Sequence, residues 1–229
     1  MLTEPFTEKW EILMVALFLV TSHVVAPRVR DLRRHPDIQE AFGAGLSVAY
    51  VFLHLIPALD TENDPLGQRV YFIALLGFAL FYGLEIHFIK HEKRRYTAEL
   101  AVLFVYNVLM VFTLGMHLPP TPLLTAIFAL TLALDALNTD IDLCGRYGSR
   151  FVHHGRWVLI GGVLFGYGSG LVRRPEPLVV DAVTAALAGM MLFMVLKDLF
   201  PVSPKRRFPA FLAGMALFAV LHVALDAFG

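Results

Sequence analysis

An all-α, polytopic membrane bundle of eight spans follows from three properties of this chain: its apolar content, the spacing of its long apolar runs, and the sidedness of its basic residues. Of 229 residues, 57% are hydrophobic and 17% charged, with a mean hydropathy of +0.66, far from the balance of water-soluble domains. Crossing ~30 Å of hydrocarbon takes about 20 helical residues. Runs of that length lie at Trp10–Val29, Ala41–Leu59, Val70–Ile89, Tyr96–Leu118, Leu123–Leu143, Phe151–Val172, Leu178–Phe200 and Phe208–Phe228. They fill residues 1–229 as one transmembrane domain.

Orientation comes from lysine and arginine, which accumulate in cytoplasmic loops. The loops after spans one, three, five and seven carry fifteen, among them Arg30, Arg95, Arg146 and Lys197, whereas the other side carries Lys9, Arg69, Arg173 and Arg174. An even number of spans, with both termini on the non-cytoplasmic side of a plasma or inner membrane, satisfies that split. Span one follows an acidic leader at Glu4 and Glu8 and precedes no small-residue cleavage site, so it is expected to stay as a helix. A single cysteine, Cys144, excludes an intramolecular disulfide and cysteine-rich metal sites, and the zero formal net charge gives no nucleic-acid footprint. The lipid bilayer is the partner that the composition requires.

Span two ends in a segment that returns in span seven. Gly45 to Pro57 and Gly189 to Pro201 each place a glycine twelve residues before a proline, and the following spans echo each other as Gly77-Phe78-Ala79-Leu80-Phe81 and Gly214-Met215-Ala216-Leu217-Phe218. An offset of five spans makes the copies opposite in membrane orientation, an inverted repeat of the kind found in transporters. The expected arrangement is three-two-three: repeat one over about 10–89, two central helices over about 96–143, and repeat two over about 151–228. Gly162, Gly166 and Gly170 give span six a smooth packing face.

Polar groups at membrane depth cost a few kcal/mol each unless paired or wet, so each is a candidate for function. Asn107 is near the middle of span four and Asp135 near that of span five, where Asn138 and Asp142 follow at i+3 and i+7 on one helical face. Glu99 stands two turns below Asn107, so these residues read as a stripe from the midplane to the cytoplasm. Such oxygen ligands suit hard or borderline divalent cations, and a carboxylate at depth also carries protons. The same residues would equally serve as interhelical hydrogen bonds between Asn107 and Asp135, at roughly 1 kcal/mol each. His54 marks an entrance at the outer end of span two, and His87 with His91, one turn apart, form a candidate cytoplasmic metal relay. Ser22 and His23 have no partner visible in the sequence, so no hydrolase is expected.

In topology, in the span-two ending Leu53-His54-Leu55-Ile56-Pro57 and in the run Ala188 to Pro201, the chain resembles the ZIP family of divalent-metal transporters. Span three and its basic, histidine-bearing loop at Lys90 to Arg95 are similar too. The resemblance implies eight helices, a divalent metal ion such as zinc as substrate, and no enzymatic activity; it allows a homodimer. Where the family carries His-Asn-x-Pro-Glu-Gly, this chain has Tyr106-Asn107-Val108-Leu109-Met110-Val111, keeping only the asparagine. Where it carries His-Glu-x-Pro-Glu-Gly, the matching stretch is Asp135-Ala136-Leu137-Asn138-Thr139-Asp140, with Asp135 in place of the histidine. The bridging carboxylates and helix-bending prolines are gone, and no glutamate occurs between Trp157 and Leu171. The expectation is a transporter of a divalent cation or small polar solute with an altered central site; the alternative is a transport-inactive scaffold or sensor.

Overall fold

The structure is a computed structural model that describes residues 10–32, 36–58, 66–89, 92–116, 122–172, 176–199 and 204–228. These form eight helices and no strand among the described residues: α1 (Trp10–Leu32), α2 (36–58), α3 (Arg69–Ile89), α4 (Glu92–Met116), α5 (Pro122–Tyr147), α6 (151–172), α7 (Pro177–Leu199) and α8 (Pro204–Phe228). Five, α1 to α4 and α7, contain stretches long and apolar enough to cross a membrane by themselves. Among the described residues α8 contributes a shorter apolar helix, Phe208–Ala224. Leu75, Leu76, Phe165 and Val220, each more than half exposed, stand on the outside of the bundle, a surface that fits lipid and not water.

Two backbone irregularities have chemical causes. Pro57 has no N–H to return to the preceding turn and its ring needs room there; the helix widens into a π turn over Val51–Leu55, closed by the Ile56 N–H on the Val51 carbonyl. Gly148, at φ +53°, ends α5 by giving its N–H to Cys144 O at 3.1 Å in a left-handed conformation that a side chain would oppose.

Four helix pairs make the main contacts: α1 with α5, α4 with α6, α2 with α8, and α3 with α7. Members of each pair run parallel, and each pair is separated by an even number of steps along the chain, as alternate crossing demands. Glycines set the closest approaches. Gly45 lies on the backbone of Phe211 and Met215, and Gly214 on that of Phe42 and Leu46; on the other pair, Gly189 lies on Ala74 and Phe78, and Gly77 on Ala186. Gly162 and Gly166 bring α6 onto the carbonyls of Phe104 and Val108, where an added Cβ would come within 2.9 Å and 2.6 Å. The core between the pairs is filled by Leu19, Val51, Val111, Phe128, Leu132, Val163, Met191 and Phe218.

Candidate functional site

Two deeply buried ionisable groups come from helices that are not neighbours in sequence. Asp140 of α5 is 0% exposed and His23 of α1 is 1% exposed, with Nδ1 of the imidazole 2.7 Å from Oδ2 of the carboxylate. Asn107 of α4, 3% exposed, turns its Nδ2 towards His23 Nε2 at 3.4 Å. Packing explains the location. Ala133, Ala136, Asp140 and Leu143 recur at three- and four-residue steps on the buried side of α5 that meets α1, while Gly162 lets α6 close on Asn107, whose Cβ would lie 3.3 Å from a Cβ added at that glycine. Removing a carboxylate and an imidazole from solvent costs several kcal/mol, and the short contact between them offsets part of that cost. Asp140 Oδ1 remains buried with no hydrogen-bond partner among the described residues.

A second polar group lies on another face of α5. Tyr106 Oη donates to Asp135 Oδ2 at 3.3 Å. One turn on, Asn138 sits against Gly43 of α2, whose hydrogen leaves room where a Cβ would come within 2.6 Å of the amide. The next polar positions, Thr139 and Asp142, line a cleft that is partly open to solvent.

That cleft is lined by the ends of α3, α4, α5 and α7, tied together by charge. Arg146 contacts Glu99 at 2.8 Å and also pairs with Asp142; Lys197 contacts Glu85 at 3.0 Å and Glu99 at 4.0 Å; Arg95 completes the set at 3.9 Å from Glu85. Three acids and three bases share the cleft, so its charge is balanced. Tyr147 Oη donates to Glu99 Oε2 at 2.6 Å. Burial, and then the Glu99 carboxylate, push the Tyr147 hydroxyl up to about 12, so it remains a donor at neutral pH. Burial works against the Arg146 charge, but Glu99 and Asp142 more than compensate and leave its pKa raised.

Of the residues singled out in the sequence, Glu99 and Asp142 meet on Arg146. Asn107 and Asp135, adjacent in the sequence-based stripe, are directed to different partners, because Tyr106 and Asn107 are successive residues and point about 100° apart around α4. His54 lies in the π turn, stacked on Tyr50 with ring centroids 5.5 Å apart and 4.3 Å from Phe128; Phe218 and His222 extend the aromatic group. His87 is exposed at the end of α3, and His91 lies outside the described residues. Lys197 pairs with Glu85.

Sequence reasoning missed the pairing of His23 with Asp140. A signal was present: an acid at a position in phase with Ala133, Ala136 and Leu143 belongs to the apolar face of α5 and must find a partner across it. Identifying that partner required knowing that α1 packs on α5. Among the described residues, no three His, Cys, Asp or Glu side chains gather as a metal site. No protein-family model matches the chain, and no curated protein matches its sequence.

Proposed function

We propose that this chain is a ZIP-like membrane transporter carrying a divalent cation or small polar solute along α5, from Asp135 past Asn138 and Thr139 to the charged cleft at the basic end of the bundle. One observation carries this reading: polar side chains continue from the interior to a solvent-open cleft on a helix that packs among apolar neighbours. Maintaining such a line across an apolar bundle is costly and serves no packing purpose that leucine would not serve better. In this reading Asp135 and Asn138 contact the cargo, Asn107 stands in the neighbouring polar group beside His23, and Glu99 and Asp142 line the exit. His54 guards the opposite mouth, and the basic end faces the cytoplasm.

The pairing of helices supports a three-two-three inverted repeat. Exchanging α1 with α6, α2 with α7, α3 with α8, and α4 with α5 turns the α2–α8 contact into α7–α3 and the α1–α5 contact into α6–α4. Gly45 on α8 and Gly189 on α3 then become equivalent, as do Gly214 on α2 and Gly77 on α7. The two central helices, outside both copies in sequence, exchange with each other.

Flux into proteoliposomes tests the function. Zn2+, Mn2+ or Co2+ uptake is expected from the intact chain, and Asp135→Ala should reduce it at least tenfold while the thermal unfolding midpoint stays near that of the parent. Unchanged flux in Asp135→Ala would remove this residue from the path. A transport-inactive scaffold or sensor is the second reading, favoured by the mutual pairing of all six charges in the cleft. It requires that none of these ions moves.

A further inference from the structure

We infer that His23, on α1, supplies the imidazole that binds the divalent cation, with Asn107 as its oxygen neighbour and Asp140 as the carboxylate that orients the ring. The inference rests on the cation-transport reading and deepens it, since neither central helix carries a histidine at this depth.

The geometry assigns the roles. A carboxylate oxygen accepts, so Nδ1 of His23, 2.7 Å from Asp140 Oδ2, carries a hydrogen, and in the neutral ring Nε2 keeps its lone pair. That lone pair faces Asn107 Nδ2 at 3.4 Å, beyond the 2.7–3.2 Å of an ordinary N–H donor, and is therefore poorly used. Turning the Asn107 amide by a half rotation replaces Nδ2 with Oδ1 and aims one nitrogen and one oxygen ligand at a shared point. A carboxylate behind the distal nitrogen is the arrangement that orients metal-binding histidines and raises their basicity. Charge points the same way. With a neutral ring, the pair holds one negative charge inside the bundle, and Asp140 Oδ1 has no hydrogen-bond partner among the described residues; a cation at Nε2 supplies the missing compensation. Imidazole with an amide oxygen suits borderline divalent ions.

Co2+ titration of the full chain in detergent micelles tests this, in a background where the exposed His87, His153 and His154 are replaced by glutamine. A saturable visible absorption band is expected, abolished by His23→Gln and weakened ten- to a hundredfold by Asp140→Asn. A band of equal strength in His23→Gln overturns the inference. Should that variant fail to fold, nitrogen-15 NMR of the unsubstituted histidine decides: Co2+ must broaden the His23 ring signals, and a ring protonated on both nitrogens and untouched by Co2+ identifies a proton as the occupant and overturns the site. The two readings fail separately. A His23-dependent band without flux removes transport and keeps the site; Asp135-dependent flux that ignores His23 removes the site alone.

Discussion

The α1–α5 and α4–α6 interfaces are alike in direction and extent but opposite in chemistry. Between α4 and α6, Gly162 and Gly166 bring backbone against backbone at Phe104 and Val108. Between α1 and α5, a carboxylate and an imidazole are sealed at 0% and 1% exposure. The first holds the bundle mainly by close contact, the usual way for helices in an apolar solvent. The second accepts a desolvation cost that contact would have avoided. On the proposed repeat the two are copies, so the framework does not need the charges, and their presence at one copy points to use.

The largest expected effect comes from spoiling the glycine interface. Gly166→Leu must push α6 away from Val108 along the whole pair, since the obstruction is backbone and has no rotamer to change; a loss of about 3 kcal/mol or more is expected. Thermal unfolding of the variant in detergent, followed by near-ultraviolet circular dichroism, would show a strongly lowered midpoint or no folded protein. A parent-like midpoint would mean that the close approach at this glycine is not what holds α4 to α6.

The α1–α5 interface should respond differently to single and double changes. Asp140→Ala leaves a buried imidazole without its partner and should cost about 3 kcal/mol, whereas His23→Met with Asp140→Leu removes both polar groups and should return stability to within about 1 kcal/mol of the parent. The double variant should be stable and inactive in proteoliposome flux. If it is stable and active, the pair is only a structural bond and the contrast between the interfaces loses its functional meaning.

Local chemistry was legible in the sequence, and cross-helix chemistry was not. Span lengths, the glycine face of span six and the shared face of Asn138 and Asp142 depend on spacing along one helix, which a sequence displays. The partners of Asn107 and Asp135 depend on the rotation of α4 about its axis, and one residue of phase sends Tyr106 and Asn107 to different helices. His23 was visible only as a polar residue beside Ser22, because its meaning comes from a residue 117 positions away. In the sequence Arg95, Arg146 and Lys197 stand as loop residues fixing orientation; their second role, joining four helix ends, appears only when those ends meet.

The smallest effect sharpens the same comparison from within one helix. Gly161 and Gly168 stand beside the packing glycines of α6, but a Cβ at Gly161 meets nothing closer than the Phe104 ring at 3.9 Å, and one at Gly168 meets nothing within 4 Å. Gly161→Ala and Gly168→Ala should therefore each stabilise the protein by about 0.5–1 kcal/mol through reduced freedom of the unfolded chain. At Gly166 the same alanine would collide with the Val108 carbonyl and destabilise. Unfolding midpoints that rise for the first two and fall for the third would separate helix propensity from backbone contact. A fall at all three would show that α6 needs its glycines for something other than its approach to α4.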